Sequence, residues 1–116
     1  KSIAIGNPAD GYYGIKTANT SGGFGEDIPD EEIVAAMKLL AETEGIFTET
    51  AGGVTVGVTK KLIQQGRIKP DEVTVICITG NGLKTQEALA DCFPAPQVIE
   101  PNIDSFEEIF ANGLTV

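Results

Sequence analysis

The run Val73-Thr74-Val75-Ile76-Cys77-Ile78-Thr79 constrains this chain more than any other stretch. It is saturated with β-branched side chains, which pack well on a pleated surface and lose side-chain freedom in a helix. The run stops abruptly at a hydroxyl and turns through Gly80-Asn81-Gly82 into a polar helix start at Leu83-Lys84. In open parallel sheets, ligands sit beyond the carboxyl ends of strands, so Thr79 marks where a site would be built. That fixes a place, not a chemistry.

The rest of the chain alternates helical and extended patterns. Lys1 to Gly6 reads as a short strand running into a turn at Asn7-Pro8, and residues 9–21 are ambiguous between helix and loop. Phe24 to Ile28 suits a brief edge strand. Asp30 to Glu44 is the clearest helix: Ile33, Val34, Met37, Leu40 and Ala41 form one apolar stripe, Asp30, Glu31 and Glu32 favour its amino end, and Gly45 suits its left-handed stop. Ile46-Phe47-Thr48 reads as another short strand.

Val54 to Thr59 carries a conflict. It alternates like a strand, yet Val54, Val58 and Leu62 recur at one helical turn. Thr50 as a cap and Gly66 as a stop favour one helix. Thr85 to Cys92 reads as helical until Phe93-Pro94-Ala95-Pro96 breaks it. Gln97-Val98-Ile99 suits a last strand. A final helix carries Phe106, Ile109 and Phe110, with Asp104 or Ser105 as its cap and Gly113 past its end. Strands alternating with helices through short loops imply a three-layer α/β arrangement with a small, mainly parallel sheet.

At 116 residues the chain is a single α/β domain, or part of one, over residues 1–116. Seventeen acids against eight bases give a net charge of −9, which argues against a nucleic-acid or anionic-membrane surface. No segment approaches a membrane span, and no signal peptide is visible, which favours the cytoplasm. The absence of histidine excludes Ser-His-Asp or Cys-His catalysis from this chain and the commonest zinc sites. No metal site is expected. Two cysteines do not make a disulfide framework, and Cys77 reads as a small buried hydrophobe. Since Met37 is the only methionine, the chain reads as processed, trimmed or cut from something longer.

Three turns carry what chemistry there is. Thr79-Gly80-Asn81-Gly82 can present backbone N–H groups and a hydroxyl at a helix entrance, a layout suited to anions or polar heterocycles. Equally, it is a strand-to-helix turn whose glycines supply positive φ. Its spacing is neither that of a phosphate-binding P-loop nor that of the dinucleotide fingerprint. Lys84 reads as an ordinary surface charge. In Glu49-Thr50-Ala51-Gly52-Gly53 a carboxylate follows a strand and two glycines permit close approach, either of a ligand or of a packed sheet. Asn7-Pro8 closes the first strand in the same manner. If the strands are parallel neighbours, all three turns converge on one edge of the sheet.

Taken together, Ile5-Gly6-Asn7-Pro8, then Glu44-Gly45-Ile46-Phe47-Thr48-Glu49 with Ala51-Gly52-Gly53, then Ile78-Thr79-Gly80-Asn81-Gly82-Leu83-Lys84 resemble the carboxyl-terminal part of the threonine synthases. These lie within the fold-type II family of pyridoxal-phosphate enzymes. The likeness runs from about Lys1 to Leu89 and fades over residues 94–116. One departure is Thr50, where many relatives carry proline. The resemblance implies part of the large domain of such an enzyme, which converts O-phospho-L-homoserine and water to L-threonine and phosphate. It implies that Thr79 meets the pyridine nitrogen of pyridoxal phosphate, with Gly80, Asn81, Glu49, Ala51 and Gly52 bordering the cofactor. Asn7 and Pro8 fall near the substrate.

It assigns no catalytic residue to this stretch. The Schiff-base lysine, the glycine-rich phosphate cradle and the small domain belong to the family's preceding portion. One hydrogen bond from Thr79 contributes about 1 kcal/mol net, too little to hold pyridoxal phosphate. The chain alone is therefore expected to bind no cofactor stably and to be inactive. Its expected partner is the missing amino-terminal part of the same enzyme, and an exposed apolar face makes a homo-oligomer plausible. The alternative is a freestanding, non-catalytic module that binds a small ligand or a protein.

Overall fold

The structure of the chain, a computed structural model, describes residues 3–111. Four α-helices and two short 3-10 helices follow one another: α1 Gly11–Thr20, α2 Asp30–Glu44, α3 Thr50–Gln64, the 3-10 turns Gly82–Lys84 and Gln86–Cys92, and α4 Ile103–Ala111. No helix among the described residues is long and apolar enough to cross a membrane.

Helix α2 has the bounds its stripe predicts. Three acids occupy its first turn, and Gly45 ends it at φ 68°, its N–H donating to Ala41 O at 3.0 Å. Helix α3 resolves the conflict at Val54–Thr59 in favour of helix. Two of its threonines are accommodated by back-bonding: the Thr55 hydroxyl donates to Ala51 O at 3.1 Å and the Thr59 hydroxyl to Thr55 O at 2.8 Å. Glu49, not Thr50, occupies the cap position, and Gly66 stands past the end at φ 69°.

These two helices pack together and make the core. Ile33, Ala36 and Met37 of α2 and Val56 and Leu62 of α3 are buried. Close approach is possible because Gly53 faces Ile33 and Met37, and a Cβ there would sit 2.7 Å from Met37 Cγ. Gly53 therefore serves to pack helix on helix rather than helix on sheet. Leu89 of the second 3-10 turn joins Ile33 and Met37, with Ile28, Val34, Val54 and Cys92 around them.

Residues 24–28 are strapped across α3. The Lys61 ammonium donates to Glu26 Oε1 at 3.0 Å and to Asp27 O at 2.8 Å, the Gln65 amide to Glu26 Oε2 at 3.2 Å, and the Arg67 guanidinium lies 3.6 Å above the Phe24 ring centre. The Glu26 carboxyl is held down at about 2, first by the Asp27 N–H, then by Lys61 and Gln65.

The expected parallel sheet is not what these residues form by themselves. Among the described residues the only β pairing is an isolated antiparallel bridge between Thr48 and Asn81. The segments expected as strands at 3–6, 24–28, 73–79 and 97–99 carry no ladder. The reason is elementary: a strand is stabilised by neighbours on both edges, and none lies beside 73–79. Val73 and Val75 are accordingly 97% and 83% exposed, and Cys77 is exposed rather than buried. Helix α4 is capped by Asn102, whose side chain accepts the Ser105 N–H at 2.8 Å, rather than by Asp104 or Ser105. Gly113, expected past its end, lies outside the described residues.

Candidate functional site

Two of the three turns singled out above meet. Residues 47–50, leading into α3, lie against residues 80–85. The Glu49 N–H donates to Gly80 O at 3.0 Å, and the Gly82 N–H to Phe47 O at 3.0 Å. The Thr48 hydroxyl donates to the same Gly80 O at 3.2 Å, and the Thr50 N–H to Thr85 Oγ1 at 3.1 Å. Thr48 and Thr85 are the two buried polar side chains of the described residues, at 0% and 3% exposure. Their hydroxyls satisfy backbone groups that would otherwise be costly to bury.

Glycine is required here for proximity rather than for positive φ. Neither Gly80 nor Gly82 has positive φ. A Cβ at Gly80 would run into the Glu49 carboxylate, and one at Gly82 into the Phe47 ring. Gly52 is likewise closed by the Thr48 side chain. The Glu49 side chain is thus largely enclosed, at 12% exposure, with Lys84 Nζ 3.8 Å from its Oε2.

The individual residues sort as follows. Glu49, Ala51 and Gly80 are half-buried and Gly52 is buried, all within this clasp. Asn81 is exposed at its edge and caps the first 3-10 turn, accepting the Leu83 N–H at 2.9 Å. Thr79 is exposed, one residue before the clasp begins. Asn7 and Pro8 are exposed, and no hydrogen bond or ion pair joins them to the other two turns among the described residues. With no sheet to align the first strand, nothing draws them to the common edge.

Sequence reasoning passed over Thr48 and Thr85. Lys84, read as a surface charge, is exposed and lies 3.8 Å from Glu49. Thr48 and Thr85 each flank a glycine motif, but a flanking hydroxyl is too common a feature to mark a site. A roomy concavity of about 1270 Å³ has Phe47 in its wall with Met37, Ala41, Leu89 and Phe93, and Lys38, Glu87 and Asp91 also line it. None of the expected site residues lines it.

Comparison with known proteins now adds to this geometry. The sequence model of the family described as "Pyridoxal-phosphate dependent enzyme" matches residues 1–80. Threonine synthase of Methanosarcina acetivorans is 42% identical over 108 residues, covering 92% of this chain and 26% of that protein. The threonine synthase of Methanocaldococcus jannaschii is 40% identical over 108 residues, covering 93% and 27%. That of Mycobacterium leprae is 34% identical over 114 residues, covering 97% and 31%. The chain therefore spans between a quarter and a third of the length of these curated relatives.

Proposed function

The chain belongs to the pyridoxal-phosphate dependent enzyme family, and from that premise we propose that it is the carboxyl-terminal portion of a threonine synthase. In this reading it supplies the pyridine-nitrogen side of the cofactor site and is inactive without the remainder of the enzyme. The observation that carries the reading is the clasp between residues 47–50 and 80–85, two turns far apart in sequence, the second bearing Gly80 and Gly82, that are joined by hydrogen bonds.

The residues present fit one side of pyridoxal phosphate. Thr79 offers an exposed, neutral hydroxyl at the lip of the clasp, able to meet a ring nitrogen without enforcing its protonation. Gly80, without a Cβ, lets the Glu49 side chain lie against the turn that follows Thr79, so that Glu49 borders the same lip. When bound, the cofactor supplies the electron sink for the reaction. The chain's own part is to orient the ring and exclude water from its edge. The sheet expected from sequence belongs to the same reading: residues 73–79 pair once the amino-terminal part lies beside them. The reading also carries a cytoplasmic location.

The test is expression of the whole reading frame that contains Lys1, beside the chain alone and beside the chain mixed with the amino-terminal part of the Methanosarcina relative. Threonine and phosphate should form from O-phospho-L-homoserine only where both parts are present. Turnover by the chain alone, or none in any combination, overturns the proposal. The chain alone should also retain no cofactor absorbance after dialysis.

A further inference from the structure

We propose that Thr85 is a positioning residue for Glu49, capping helix α3 from across the clasp and so leaving the Glu49 carboxylate to lie along the Gly80 turn. The first N–H groups of a helix have no partner within it, and the side chain at the cap position ordinarily turns back to accept one. Glu49 holds that position at φ −72° and ψ 171°, yet its side chain makes no capping bond. The Thr50 N–H donates instead to Thr85 Oγ1, 35 residues away, at 3.1 Å.

The alternative conformation has a precedent within this molecule. Glu26 accepts the N–H of the next residue, Asp27, on its own carboxylate at 3.0 Å. Glu49 likewise stands one residue before an N–H, that of Thr50, and an acid is favoured at the amino end of a helix. Thr85 removes that demand. The carboxylate is then held against Gly80, at 12% exposure, by packing and by Lys84 3.8 Å away. Thr85 itself is 3% exposed, so its hydroxyl is a fixed acceptor rather than a solvated one.

The functional consequence, though not the geometry, rests on the reading of Glu49 as a cofactor-side residue. Expressed from the whole reading frame, the unsubstituted protein and Thr85→Ser should show an NMR contact between Glu49 Hγ and Gly80 Hα. Thr85→Val should lose it, and its affinity for pyridoxal phosphate should fall about fivefold to tenfold, as for one lost cap. Thr50→Pro offers a control, since proline has no N–H to be capped and suits the first helical position. In the Thr50→Pro background, Thr85→Val should leave both the contact and the affinity unchanged.

Retention of the contact in Thr85→Val overturns the proposal, as does its absence from the folded, unsubstituted protein. Equal loss in both backgrounds also overturns it, and the unsubstituted protein decides the matter if Thr85→Val does not fold. Should the contacts change as expected while pyridoxal phosphate binds equally to all five proteins, the positioning role stands and the cofactor reading of Glu49 falls.

Discussion

At the scale of single residues, close approach is the reason read from sequence for Gly52 and Gly53, and it holds. For Gly80 one of the two readings is a turn through positive φ, and the residue serves proximity to Glu49 instead. Sequence records that a side chain is missing but not which atom fills the space. Gly80→Ala should therefore destabilise the clasp by about 1–3 kcal/mol, as overpacking does. Faster amide exchange at Glu49 and Gly82, two of the donors that bridge the turns, would report it. Gly6→Ala, where a Cβ meets nothing within 4 Å, is the matched control and should be silent. Thr79→Val makes the complementary test of function. Thr79 is exposed, so stability should change by less than about 0.5 kcal/mol, while turnover of the complete enzyme falls further than that. Equal turnover in the two proteins would remove Thr79 as the pyridine partner.

At the scale of elements, α2 and α3 are legible in the sequence, α1 is left open by it, and the expected strands find no ladder among the described residues. A helix satisfies its own backbone, so the stripe Ile33–Met37–Leu40 and the stops at Gly45 and Gly66 suffice to draw α2 and α3. A strand satisfies its backbone only through another strand, so the β-branched run at 73–79 predicts a ladder whose other rails the chain does not provide. What the chain stabilises on its own is the α2–α3 pair. Met37, at 1% exposure, touches both helices and the Leu89 turn, and Met37→Ala should cost about 2–5 kcal/mol in thermal or denaturant unfolding. The strap over α3 adds a pH dependence of definite sign. Because the Glu26 carboxyl is lowered from 4.5 to about 2, its contribution is complete above pH 4.5 and lost as pH falls toward 2. Acid titration of helical circular dichroism should show that loss, and Glu26→Gln should flatten it.

At the scale of the whole molecule, the exposed surface is large for the mass. The chain exposes 9096 Å², where a compact protein of 12.1 kDa exposes roughly 6,000 Å². Its radius of gyration is 19.5 Å against about 13 Å for a compact domain of this length. The excess of surface is roughly 3,000 Å². Val73, Val75, Val98, Phe93 and Ile103 are among the side chains left bare.

If residues 73–79 are an inner strand of a sheet completed by the amino-terminal part, two measurements must change together when that part is supplied. Backbone amides of 73–79 should exchange almost as freely as an unfolded chain in the isolated protein, and at least a hundredfold more slowly in the complete one, since protection tracks local opening. Val75→Ala should shift stability by less than about 0.5 kcal/mol in the isolated chain, where the side chain is 83% exposed. In the complete protein the same substitution should cost about 1–3 kcal/mol, because there the side chain is buried on a packed sheet face. Slowed exchange without an added cost at Val75 would place the segment at a sheet edge. Unslowed exchange would leave it unpaired, and Thr79 would then have no strand end from which to reach a cofactor.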